Sequence, residues 1–234
     1  MKIDNIHLKT AHLTDLKTFY TDTVECSLTN LSANEFTVHI GATDVIFSEV
    51  RDGTDPSYHF AINVPQNQFA DAVTWLSDRV ELLADPETGN QEIFFEEWNA
   101  HAVYGLDPAN NLLELIARHD LSNDVDRPFG SDSFQRVSEI GLTVPNVRRA
   151  VEAISNNVGV TLRKNHPAPI TDDTSFAAVG DDHGLIIVVE EGRGWFPVPT
   201  SRNQAATAYP VSIGTTETTN EYVFSKLPYQ IVPS

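Results

Sequence analysis

An α+β fold built from tandem βαβββ units is what this sequence predicts, and three observations predict it. A layout of short apolar strand, amphipathic helix and further strands recurs three times along the 234 residues. Each helical segment carries its apolar residues on one face, as a helix laid against a sheet does. Short strand-like runs follow each helix and are separated by turn residues.

The first unit opens with Ile3-Asp4-Asn5-Ile6-His7-Leu8 and continues into a helix near Leu13 to Val24. Leu13, Leu16, Phe19, Tyr20 and Val24 recur at helical spacing on that segment. Strands follow at Glu35–Ile40 and Asp44–Val50, with Gly41 turning between them. The second unit opens with Tyr58-His59-Phe60-Ala61-Ile62-Asn63-Val64, and its helix spans about Gln68 to Val80. Strands are expected at Ile93–Glu96, His101–Leu106 and Leu112–Ala117; Asp107-Pro108 turns the chain before the last, because Pro has no place in a paired central strand. Residues 120–133, polar and carrying Pro128 and Gly130, form a linker. The third unit begins at Val137–Val144, with a helix at Val147–Ser155 and strands near Val158–Leu162, Phe176–Val179 and Leu185–Glu190. A tail with strands at Tyr209–Ile213 and Glu221–Phe224 ends the chain. The expected organisation is therefore two paired units over 1–119, a linker, and a third unit with its strand tail over 134–234. One unit cannot close a two-unit sheet, so the tail or a partner subunit in a homodimer completes it.

Composition narrows the functions. An apolar fraction of 41% with twelve Phe supplies a core. The 33 acidic against 15 basic residues give a formal charge of −18, which repels phosphate backbones and anionic lipid. Neither nucleic acid nor membrane is an expected partner. No apolar run approaches the ~18 residues of a membrane span, and the opening MKIDNIHLKT lacks a signal-peptide layout. A cytoplasmic location is the expectation. Cys26 stands alone, so neither a disulfide framework nor a cysteine zinc cluster is available.

The openings IHL and YHF and the run YGLDPANNLLELIARH, with Tyr104-x-x-Asp107-Pro108-x-Asn110-x-x-x-Glu114 inside it, resemble the glyoxalase/bleomycin-resistance/dioxygenase (vicinal oxygen chelate) superfamily. The resemblance covers residues 3–119 closely and 134–192 more loosely. It implies that paired units form a cup-shaped half-barrel with the site in the concave face. It also implies metal ligands on the first and fourth strands of each paired unit. Those positions are His7, His59 and Glu114 here, with Phe47 at the fourth, where glyoxalase I supplies a second carboxylate. Two imidazoles and a carboxylate suit one divalent metal, Fe, Mn, Ni or Zn. Glu114 between Leu113 and Leu115 is costly to bury unless it binds a metal, finds a partner or faces a solvated cup.

Other candidates surround that set. Glu49 lies two residues beyond Phe47, where a small register shift makes it a ligand or a base; otherwise it is an exposed strand end before Arg51. Tyr104, ten residues before Glu114, stands at the spacing that extradiol dioxygenases give their active-site Tyr. The His expected upstream of it is replaced by Phe-Glu-Glu at 95–97, which leaves His101 or His39 as substitutes. Trp98, Phe47, His39 and Arg118 are candidates for substrate contact, Arg118 toward an anionic group. The third unit has Glu139 and Ile187 at the ligand positions, and so is expected to have lost the metal set. The function implied is a metal-dependent enzyme that holds vicinal oxygens of a small molecule, by glyoxalase-type lyase or isomerase chemistry or by extradiol ring cleavage. The competing reading is a metal-free binding cup of the bleomycin-resistance kind.

Overall fold

Among the residues that the computed structural model describes (1–164, 169–198 and 205–234), fifteen strands and three α-helices form two open sheets. The first unit supplies β1 (Asn5–Thr10), α1 (Leu13–Thr18), β2 (Ser27–Leu31), β3 (Glu35–Ile40) and β4 (Thr43–Glu49). The second supplies β5 (His59–Asn63), α2 (Phe69–Ser77), β6 (Leu82–Leu83), β7 (Ile93–Phe95), β8 (Ala100–Leu106) and β9 (Leu112–Arg118). The third supplies β10 (Arg136–Val144), α3 (Val147–Val158), β11 (Phe176–Asp181) and β12 (Gly184–Glu190), and the tail adds β13 (Val211–Thr215), β14 (Tyr222–Val223) and β15 (Tyr229–Pro233).

Local chemistry accounts for most of these bounds. The α3 helix starts at Asn146, whose side chain accepts a hydrogen bond from the Arg149 amide. It buries Val147, Ala150, Val151, Ile154 and Val158 on the sheet, and Gly159 ends it at φ 82°. The helix thus consumes the start of the strand expected at Val158–Leu162, of which only an isolated bridge from Leu162 to Val179 remains. The first helix widens into a π turn over Phe19–Thr23, which keeps Phe19 and Tyr20 against the sheet.

The pairing of units differs from expectation. One sheet runs β14-β15-β13-β1-β4-β3-β2, and the other runs β11-β12-β10-β5-β9-β8-β6, with β7 beside β8. Thus β1 and β5 lie in different sheets. The second unit pairs with the third through antiparallel β5 and β10, and the first pairs with the tail through antiparallel β1 and β13. The tail closes the first unit rather than the third. Burial gives the reason: every residue of β5 is buried, so both its edges and both its faces need covering, and β9 and β10 provide the edges. Strand β1 alternates half-buried with buried residues and tolerates a partner with a wet face.

The two sheets are joined by buried polar contacts. Thr43 accepts from the Val137 amide and donates to the Ile3 carbonyl. Tyr58 donates to the Pro210 carbonyl and accepts from the Lys9 amide. Tyr20 donates to Asp107 at 2.9 Å, and the same carboxylate accepts from the Ala109 and Asn111 amides, holding the turn before β9. Burial pushes the Asp107 carboxyl up to about 6 despite these donors.

Candidate functional site

A row of side chains crosses four neighbouring strands of the second sheet. Glu139 on β10 stands opposite Ala61 on β5; Ala61 stands opposite Glu114 on β9; Glu114 stands opposite Tyr104 on β8. A register shift between Val137 and Glu139 accompanies this pairing. Ala61 is small, so the floor between the carboxylates stays open. His59, two residues before Ala61 and so on the same face, reaches Glu114 with Nε2 2.9 Å from Oε2.

One donor atom each from His59, Glu114 and Glu139 lies within 4.8 Å of the others, and all three residues are buried. Beneath them Arg118, with no exposed surface, ion-pairs with Glu139, donates to Asn63 at 3.3 Å and lies 3.7 Å from Asp182. Burial and the neighbouring Glu114 charge raise the Glu139 carboxyl, and Arg118 opposes them. Above the row is a cavity of about 250 Å³ walled by aromatic rings, Trp98, Tyr104, Trp195 and Phe196 among them. Trp195, from the turn after β12, lies 5.2 Å from the His59 ring, centroid to centroid. It fits there because position 141 on β10 is glycine: a Cβ would fall 2.5 Å from the indole. Arg193 also lines the cavity, above the Phe176 ring at 5.3 Å, and has no carboxylate partner among the described residues. Burial, reinforced by Glu114 and Glu139, raises the Tyr104 phenol well above its ordinary value, so it stays protonated and able to donate.

These residues fit a divalent cation. The donor set of one imidazole and two carboxylates is suited to a borderline-to-hard metal. Two buried carboxylates face a single ion-paired guanidinium, and His59 Nδ1 is buried without a hydrogen-bond partner among the described residues. A cation would relieve that excess negative charge.

Of the positions expected from the sequence, His59, Glu114, Tyr104 and Trp98 come together in this cavity. His7 does not. It lies on β1 in the other sheet, with Nε2 2.6 Å from Ser48 Oγ and 3.4 Å from Glu35. Phe47 is fully buried on the helix side of its strand, stacked between Tyr20 and Phe36. The match that placed it at a ligand position is one residue out of step. His7 pairs with Ile46 as His59 pairs with Leu112, so Ser48, two residues on, corresponds to Glu114. Glu49 and His39 also belong to the first sheet, where Glu49 ion-pairs with Arg51 and His39 Nδ1 lies 2.8 Å from Asp44 Oδ1. His101 points to the opposite face of β8 from Tyr104, against His119 at 2.7 Å and the rings of Phe69 and Phe94. Arg118 is the buried counter-ion of Glu139 and does not line the cavity.

Glu139 is the residue that sequence reasoning set aside, because the third unit was expected to have lost its ligands. Its signal was nonetheless present: a carboxylate inside the apolar run Val137–Val144, the pattern that singled out Glu114. Arg193 and Trp195 gave no such signal, since a turn reveals nothing of the sheet it folds back upon.

No family model and no curated protein matches the sequence. Solved structures do match the fold. A candidate dioxygenase from Bacillus subtilis subsp. subtilis str. 168 superposes with a TM-score of 0.59 at 15% identity, covering 92% of this chain and 70% of that one. Glyoxalase I from Zea mays superposes at 0.51, also at 15% identity, covering 91% and 74%. A variant of the maize enzyme reaches 0.53 at 16% identity, with the same coverage. In architecture, with tandem βαβββ units paired into open cups, this chain has the vicinal oxygen chelate fold of the glyoxalases and their dioxygenase relatives.

Proposed function

We propose that the chain is a metal-dependent enzyme acting on a small, flat, anionic molecule that carries vicinal oxygens, bound in the cup formed by the second and third units. The observation that carries this is the convergence of His59, Glu114 and Glu139 within 4.8 Å at the base of an aromatic cavity. A divalent metal held by these three would act there as a Lewis acid on the substrate's oxygens. Trp98, Trp195 and Phe196 would flank a planar substrate and exclude water, and Arg193 would orient its anionic group. Tyr104, kept protonated beside Glu114, would donate a hydrogen bond to an oxygen that gains charge.

Between the two reaction types, proton transfer of the glyoxalase kind is better supported than ring cleavage. His59 is the single imidazole lining the cavity among the described residues, and it belongs to the ligand set. Ring cleavage would call for a second one. The metal-free binding cup also has an observation behind it, because the Arg118–Glu139 pair already neutralises one of the two carboxylates.

Calorimetric titration with Mn(II) separates the readings. One equivalent is expected in the wild type and in His7→Ala, with binding lost in His59→Ala and Glu139→Gln. Full affinity in Glu139→Gln, or loss in His7→Ala, would overturn the assignment; no binding to the wild type would leave the metal-free cup.

A further inference from the structure

The first sheet repeats the geometry of the second with its chemistry reversed. Strand β1 stands to β4 and β13 as β5 stands to β9 and β10. Since His7 corresponds to His59, Lys9 takes the place of Ala61 and Ser48 that of Glu114. On the far side, β13 meets β1 with Val211 opposite Leu8, which brings Pro210 to the position that Glu139 holds in the other cup. Both ligand carboxylates are therefore gone from this cup, and an ammonium stands on its floor.

We propose that this first cup is a second binding site, for a small organic carboxylate with an apolar body. Its cavity, of about 360 Å³, is lined by His7, Lys9, Ser212 and Gln230 on the polar side and by Leu227 and Tyr229 among its apolar walls. Lys9 Nζ donates to Ser48 Oγ at 2.9 Å and has no carboxylate within ion-pairing distance among the described residues. In a chain of net charge −18 an unpaired, half-buried ammonium is an uncommon placement. Gln230 donates to Ser212 at 3.0 Å, so the Ser212 hydroxyl accepts there and keeps its own proton to donate. One acid stands beside this cup: Glu35, opposite Ser48 on β3 and 3.4 Å from the His7 imidazole. It opposes an anion, so its removal should tighten binding. The apolar wall selects against inorganic anions, whose hydration it cannot replace.

The test uses the full-length protein and hexanoate as probe, with inorganic phosphate and hexylamine as controls, by isothermal titration. One hexanoate per chain is expected, weakened by about tenfold in Lys9→Met, the loss of one charge-assisted hydrogen bond. Glu35→Gln should bind more tightly, and His59→Ala, in the other cup, should bind as the wild type does. Circular dichroism checks that the Lys9 and Glu35 substitutions leave the fold intact. Three results would overturn the proposal: no saturable binding by roughly ten-millimolar hexanoate, equal binding of phosphate or hexylamine, or loss of binding in His59→Ala with retention in Lys9→Met.

Discussion

Replacing Arg118 by Met tests whether the buried charge of the main cup is balanced as the structure indicates. Arg118 has no exposed surface, and its partner Glu139 has a side-chain exposure of 4%. Met fills most of the space of the arginine stem, so little of the cost comes from packing. What remains is the loss of a buried ion pair, with Glu114 and Glu139 facing each other across Ala61 and no cation beneath them. Breaking such a pair costs about 3–5 kcal/mol. A metal bound by the folded state would return part of this, about 2.7 kcal/mol at a hundredfold excess over its dissociation constant. Urea unfolding in EDTA and again with Mn(II) gives both quantities. The variant should lose stability in EDTA and regain more than the wild type gains on adding metal, because both carboxylates are then free to bind it. A loss in EDTA below about 1 kcal/mol, the range of exposed pairs, would show that Arg118 does not carry the charge balance.

Two further outcomes follow from particular contacts. Gly141→Ala puts a Cβ 2.5 Å from Trp195, so the indole must leave its place beside His59; a cost of about 1–3 kcal/mol and a changed tryptophan emission are expected, and an unchanged spectrum would contradict the packing. Asp107 has a folded-state value of about 6, above the unfolded carboxylate at about 3.9. The protonated acid is therefore favoured by folding, and its contribution is complete below about pH 4 and lost as pH rises through about 6. The shift corresponds to an upper bound of roughly 3 kcal/mol. Urea midpoints for the wild type relative to Asp107→Asn should fall across that interval, and parallel profiles would refute it.

Much of the fold was legible because its signals are local. The helical face of α3 lies within one stretch of sequence, as do the Asp107-Pro108 turn and the apolar strand that follows. His59 and Glu114 were legible for the same reason, each a polar residue interrupting an apolar strand. Strand β15 and the exposed edge strand β2 were not, since neither alternates strongly enough to stand out.

Local residue patterns specify the repeated unit, most of its strands and helices, and the ionisable residues set within its first and last apolar strands. Which unit pairs with which was decided only in three dimensions. Three first strands of similar composition compete for two antiparallel pairings, and the choice depends on burial of both faces of β5, which no local pattern encodes. That choice moved His7 out of the site and brought Glu139 in, because ligands on separate strands become neighbours only through the register between them.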